Sequence, residues 1–252
     1  MSNPVIEQLR NRRSVRNFTG ASVSDADLET ILRAAQQAPT SANGQQVSLV
    51  VTRDKATIGK IAAIAGGQPQ IASADVFVTF VIDFNRPREA VALAGGTLVA
   101  NRSAEGLVAG AVDVGIMLST LQTAAESLGY GTTAIGGIRR NPLAMVELLG
   151  LPQNTFPLVG STIGVPDPAR PAQVKPRVPL ESFAFKERYD AAAVAEGVRR
   201  YDAQLRTWWD AQGMSEMPSY AKSTAGYYQT IYYPTVAAAL RQQGFEFTDS
   251  LE

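Results

Sequence analysis

The chain contains neither cysteine nor histidine among its 252 residues. Without cysteine there are no disulfides and no thiolate ligands. Without histidine there is no imidazole to act as base, proton shuttle or metal ligand. The two absences together exclude Ser–His and Cys–His nucleophile pairs and any His/Cys zinc site. Carboxylate or lysine chemistry remains, as does chemistry carried by a bound cofactor for which the protein supplies binding, orientation and electrostatics. An excess of either charge is also missing, with 23 basic and 23 acidic residues. Neither a nucleic acid nor a membrane surface is therefore an expected partner, because both select a basic excess; a local basic site for one phosphate stays open. No apolar run reads as long enough to span a bilayer. The opening MSNPVIEQLRNRRSV has charges inside its first apolar stretch and does not read as a signal peptide. The expected location is the cytoplasm, where the sequons at Asn17 and Asn101 carry no glycosylation meaning. At 45% hydrophobic content the chain can build a large core, and its length permits one or two domains.

The pattern predicts a short helix over 4–11, with Asn3 as N-cap and Pro4 at the first helical position. A second helix starts near Ser24, with Asp27 completing a weak capping box, and buries Leu28, Ile31, Leu32 and Ala35 at helical spacing until Pro39. Strands are expected at Val47–Val51, at the continuous apolar run Val76–Ile82, at Tyr130–Ile135 and at Pro157–Ile163. Ala104–Leu128 is apolar almost all round and reads as a buried helix crossing the core, closed by Gly129. Glu105, Asp113 and Glu126 make it a poor membrane span. Asn141-Pro142 to Leu149-Gly150 is a short helix. Residues 166–179 form a loop stiffened by five prolines, followed by an aromatic-rich tail with helical patterns over 187–212 and 219–243. Helices dominate the alternation, giving an α+β or α/β three-layer core with a helical C-terminal addition.

Five groups of residues are candidates for chemistry. In Arg12-Arg13-Ser14-Val15-Arg16, an extended backbone puts 12, 14 and 16 on one face, and guanidinium forks match phosphate oxygens; a solvated basic run at a helix end would look the same. Lys175-Pro176-Arg177 presents two cations from a stiff loop, which lowers the entropy lost on binding an anion, although an ordinary surface loop has the same composition. Gly136-Gly137, after a strand, lets backbone N–H groups approach a planar ligand, or is a plain turn. The preceding Gly129-Tyr-Gly131-Thr-Thr-Ala134 matches the dinucleotide fingerprint only in letters. It follows a helix and opens a strand, the reverse of what that motif requires. Thr40, Ser41, Asn43 and Gln45 form a polar loop able to hydrogen-bond a heterocycle's edge, as can Gln68 after Gly66-Gly67. Ser219-Tyr-Ala-Lys222 is an S-x-x-K without the companion motifs of serine acylases, a pattern frequent by chance.

Taken in order, RRSVRNFTG (12–20), ILRAAQQAPTSANGQQ (31–46), AGGQPQIASADVF (65–77), AESLGYGTTAIGGIR (125–139) and KPRVP (175–179) resemble the nitroreductase superfamily. The branch is that of major oxygen-insensitive nitroreductases and FMN reductases. The resemblance covers nearly the whole chain. It implies a three-layer α+β fold as a single domain over 1–252, with a core of about 1–185 and an extension of about 186–252 reaching over a partner, in an intertwined homodimer with two interfacial FMN sites. It implies Arg12, Arg13, Ser14, Arg16, Lys175 and Arg177 as phosphate contacts. It implies Thr40, Ser41, Asn43, Gln45, Gln68, Ile135, Gly136 and Gly137 as isoalloxazine and ribityl contacts. The implied reaction is ping-pong hydride transfer from NADH or NADPH to flavin N5, then to a nitroaromatic, quinone or flavin acceptor, with no catalytic side chain and no metal. That chemistry needs no histidine or cysteine.

Two departures stand out. Arg12 replaces the histidine that often opens the branch's RS motif. The stretch Thr207–Pro218 lacks the arginines with which NADPH-preferring relatives grip the 2′-phosphate, and carries Asp210 and Glu216 instead. Losing two charge-assisted contacts removes about 2–4 kcal/mol of NADPH preference, unless Arg206 or Lys222 substitutes. Trp208 and Trp209 either crowd the substrate mouth or pack the tail. Two other readings compete with the enzyme: a flavin-binding sensor or carrier with little turnover, and a Ser–Lys hydrolase.

Overall fold

The computed structural model describes residues 3–249, which fall into two compact units, 3–172 with 235–249, and 173–234. The first unit is built on a four-stranded sheet of β1 (Val47–Thr52), β2 (Val76–Asp83), β3 (Gly131–Ile135) and β4 (Thr155–Gly164). The strand order is β1-β2-β4-β3 and every neighbouring pair is antiparallel. That decides between the two expected classes in favour of α+β.

β2 explains the layering. All its residues except Asp83 are buried, and alternate side chains go to opposite faces. Val76, Val78, Phe80 and Ile82 join a core with α2 (Asp25–Gln36), α6 (Ala104–Ser127) and α10 (Val236–Gln242). Phe77 joins a second core with α3 (Lys55–Ile64), α4 (Pro69–Ala72) and α7 (Pro142–Leu149). Helices on both faces of one sheet make the three layers. The remaining helices of this unit are α1 (Pro4–Arg10) and α5 (Asn85–Leu93), neither with a buried residue.

The predicted helix signals hold. Asn3 accepts from Val5 N–H and Ile6 N–H. Ser24 caps α2 through Asp27 N–H at 3.0 Å, but only half the capping box forms, since the Asp27 carboxylate accepts from the Tyr130 hydroxyl instead. Gly129 follows α6 at φ +87°, and Gly150 follows α7 at φ +60°, the left-handed exits that only glycine adopts without strain.

Three expectations need correction, and three helices are additional to those expected. The helices α3, α4 and α5 were not marked in the sequence, although Asp54, which accepts from Thr57 N–H, and Pro69 at a first helical position are readable starts. α6 is not buried all round: Val114, Met117, Leu121 and Ala125 enter the core, whereas Val108, Val112 and Ile116 remain exposed. By length and composition α6 also passes as a membrane-spanning helix, contrary to the expectation that no run would. Its buried Asp113 and Gln122 hydrogen-bond into the protein. The helix expected over 219–243 is broken: α9 (Tyr220–Tyr228) ends before Pro234, which lacks the donor a continuous helix needs, and α10 begins at Val236.

The second unit contains the end of the proline loop, α8 (Ala191–Ala211) and α9. Its core is a stripe of α8, Tyr201, Leu205 and Trp209, packed with Val178, Trp208, Met214, Met217 and Tyr220.

Candidate active site

Residues 12–17 form no helix but run extended beside β3. Val15 N–H donates to Thr132 O at 2.8 Å and Thr133 Oγ1 donates to Val15 O. The side chain of Val15 lies so close to Gly131 that a Cβ there would stand 2.6 Å from it. The extended backbone then alternates as the sequence required. Arg12 reaches the Ser14 hydroxyl at 3.4 Å, and Arg12 and Arg16 are close enough to repel each other. Arg13 takes the other side, donating to Asn11 O and lining a small cleft with Val15 and Glu126. The structure therefore unites Arg12, Ser14 and Arg16 and turns Arg13 away from them. The protein crowded around Arg16, and secondarily the Arg12 charge, lowers its pKa below the ordinary arginine range. Among the described residues, none of the three arginines forms an ion pair. Glu126 stands near Arg12 and Arg13, yet it accepts from Thr132, and burial pushes its pKa up. Two converging guanidiniums held without a carboxylate partner are arranged for an external anion.

The Thr40–Gln45 loop is strained and heavily braced. Ala42, Asn43 and Gln45 adopt φ of 50°, 52° and 50°, a left-handed region that L-residues occupy only when their surroundings impose it, at about 1–3 kcal/mol each. The restraints are visible. Thr40 Oγ1 accepts from Gln45 N–H at 3.1 Å, and Arg86 donates to Gln45 O and Val47 O. Ser41 N–H lies 3.1 Å from both carboxylate oxygens of Asp113, which also accepts from Gln46 Nε2 at 2.6 Å. The side chains of Thr40, Asn43 and Gln45 line a polar cleft of about 460 Å³ with Gln36, Gln37 and Arg86. Asp113 and Arg86 were not singled out as site residues in the sequence. An acidic residue in the middle of the long apolar helix α6, away from both of its ends, is the signal that would have found the first.

Asp113 is buried, and desolvation raises its pKa above 3.8, opposed by the Ser41 N–H. A carboxylate with a raised folded-state pKa contributes stability below its unfolded value, and that contribution is lost as pH rises through the folded value. At neutral pH the ionised group is a net burden. Asp113→Asn, which keeps an acceptor for Ser41 N–H, is expected to melt at or above the wild-type temperature at pH 7 and to lose that advantage towards pH 4. Asp113→Ala orphans two donors and is expected to lose about 1–3 kcal/mol. Thermal melts of both variants across this pH range check the pair.

Gln68 and Gly137 meet directly. A Cβ on Gly137 would sit 2.4 Å from Gln68 Nε2 and 2.8 Å from Ala65 O, so only glycine fits. Gln68 is held in turn, donating to Ala65 O and accepting from Gln70 Nε2. Ile135 ends β3, and Gly136 opens a 3₁₀ turn through Arg140. The bareness of Gly137 thus serves protein packing.

In the second unit, Lys175 Nζ lies 4.6 Å from the Trp209 ring centroid, and Tyr201 OH donates to Pro176 O at 3.1 Å. Arg206 is already engaged with Met214 O, Met217 O and Asp210. Ser219 caps α9, its hydroxyl accepting from the Lys222 backbone N–H at 3.4 Å. That is a structural use of the S-x-x-K pair.

These donors suit FMN: guanidiniums without acid partners for the phosphate, amide-bearing loops for the ring edge, and a bare-backbone turn at a strand end. The Nitroreductase family model matches residues 9–165, and the model for the family's C-terminal domain matches 175–248. The chain is 40% identical over 247 residues to an FMN reductase (NAD(P)H) of Bacillus subtilis, covering 97% of this chain and 98% of that protein. It is 37% identical over 210 residues to an oxygen-insensitive NADPH nitroreductase of Salmonella typhimurium, covering 83% and 84%. The solved structure of NfrA2 from B. megaterium superposes with a TM-score of 0.94 at 37% identity, covering 98% of this chain and all of that one. On the strength of the matched segments and of this agreement in fold, the chain belongs to the nitroreductase family.

Proposed function

We propose that the protein is an FMN-dependent NAD(P)H oxidoreductase that works as a homodimer in the cytoplasm, with both compact units serving one nitroreductase-type domain. When bound, FMN would supply hydride-transfer chemistry at N5, between NADH or NADPH as reductant and a nitroaromatic, quinone or free flavin as acceptor. The observation that carries this reading is the pair of guanidiniums, Arg12 and Arg16, brought together beside Ser14, neither of them in an ion pair among the described residues. In this reading they anchor the phosphate; the family resemblance adds Lys175 and Arg177 to its counter-charge and Arg13 to the local field. Gln68 and the backbone of Ile135, Gly136 and Gly137 meet the ring and ribityl chain. Thr40, Ser41, Asn43 and Gln45 offer amides and hydroxyls to the ring edge. Acid–base side chains are not needed, because solvent supplies the protons.

A second copy completes the site. The Thr40–Gln45 loop is tied to α6 at Asp113, and the cradle neighbours α6 at Glu126. Between those residues the helix rises about 20 Å. The loop precedes β1 at one edge of the sheet, while the cradle lies along β3 at the other. Between α1 and α6 runs an apolar groove of about 830 Å³, lined by Val5, Leu9, Val112 and Ile116. An exposed apolar face of this kind calls for cover, and a second copy brings one protomer's loop towards the other's cradle.

Anaerobic titration of the yellow protein tests the enzyme reading. Stoichiometric bleaching by NADH or NADPH and recovery on adding a quinone, with parallel double-reciprocal plots, supports ping-pong turnover. A flavin that resists both nucleotides would leave a carrier. With Arg206 engaged and Thr207–Pro218 free of cations, the ratio of kcat/KM for NADPH over NADH is expected to stay below a hundredfold; steady-state rates with each nucleotide measure it.

A further inference from the structure

We infer that Trp209 and Tyr201 are positioning residues for the flavin phosphate, seating the Lys175-Pro176-Arg177 turn so that its cations are set before the anion arrives. The inference rests on the reading of Lys175 and Arg177 as phosphate contacts. α8 holds this turn at three points. The Trp209 ring faces the Lys175 ammonium at 4.6 Å, the Tyr201 hydroxyl donates to the Pro176 carbonyl at 3.1 Å, and Val178 packs into the same cluster. Tyr201, Leu205 and Trp209 recur at helical spacing and form one buried stripe. The two aromatic residues are themselves fixed. Trp209 is 6% exposed and meets Trp208 edge-on at 4.8 Å, and Tyr201 meets Tyr220 at 5.0 Å.

The choice of residue matters physically. An aspartate at position 209 would hold the ammonium more tightly but repel an approaching phosphate. A leucine would take away the ring that faces the ammonium, and with it one restraint on a long side chain whose rotamer freedom is lost on binding. An indole face attracts the cation through its quadrupole and adds no negative charge. Proline contributes by stiffening the turn, and its carbonyl is its only backbone hydrogen-bonding group; Tyr201 occupies it. Lys175 thus stands on the Trp209 face, and the turn that carries Arg177 is tied to Tyr201.

The test is fluorescence titration of flavin-free protein with FMN and with riboflavin, which lacks the phosphate. Trp209→Leu is expected to weaken FMN about three- to tenfold and to leave riboflavin unchanged, with Trp209→Phe in between. Tyr201→Phe, which removes only the hydroxyl, is expected to follow the same pattern. In a Lys175→Ala background, Trp209→Leu is expected to add no further loss for FMN. Equal losses for FMN and riboflavin, or an undiminished effect in that background, would overturn the inference and leave the aromatics as packing alone. If Lys175→Ala itself leaves FMN affinity untouched, the phosphate reading of this turn fails first. Should Trp209→Leu melt without cooperativity, the phenylalanine variants at both positions decide the matter.

Discussion

Replacing Arg16 by alanine is expected to weaken FMN binding by about ten- to a hundredfold while raising the melting temperature of the flavin-free protein. The two effects have one cause. Arg16 sits in a crowded setting beside Arg12, and both lower its pKa. A group whose folded-state pKa is depressed below the unfolded value contributes stability only above that unfolded value, and the contribution is lost as pH falls through the folded value. At any physiological pH the charged arginine therefore burdens the empty protein. A phosphate removes that burden by offering charge-assisted bonds of about 1.5–3 kcal/mol each. Riboflavin affinity should not change, and Arg16→Lys should fall between alanine and wild type because it keeps the charge but loses the fork. Isothermal titration and apoprotein melts give both numbers. A lower apoprotein melting temperature together with an equal loss of riboflavin would make Arg16 an ordinary structural residue.

The second large effect is expected on the exposed face of α6. Val112 and Ile116 are 54% and 38% exposed, so Val112→Asp or Ile116→Asp should leave the protomer fold intact. In a twofold interface each substitution appears twice, and each buried, unpaired carboxylate costs several kcal/mol, weakening the dimer by at least about a thousandfold. Sedimentation should show a monomer with little bound FMN, since the Thr40–Gln45 loop of the second copy no longer reaches the cradle. A variant that still sediments at twice its mass and stays yellow would place the contact elsewhere.

How much of this was legible in the sequence differs from residue to residue. The alternation at Arg12, Ser14 and Arg16 followed from two-residue periodicity once the segment was taken as extended, and β3 makes it so by accepting Val15 N–H. Gly136-Gly137 stood out by composition, but the reason for Gly137 did not. Its closeness to Gln68 and Ala65 depends on how α3 and α4 pack against the turn after β3, a tertiary fact without local signature. Asp113 was visible only as a reason to doubt a membrane helix; that it braces Ser41, far away in the chain, required the fold. The apolar girdle of α6 was read as full burial, because periodicity reports that a face is apolar and not which molecule covers it. The break at Pro234 was lost inside a compositionally helical stretch, and Trp209 under Lys175 joins residues that no short-range pattern links.

The most direct measurement of the whole account is the affinity of the unmodified flavin-free protein for FMN relative to riboflavin, read at low and at moderate salt. A phosphate held by paired guanidiniums predicts FMN tighter by at least about a hundredfold, with the margin narrowing as salt rises. Equal affinity for the two flavins at every salt concentration, or no binding of either, would contradict it.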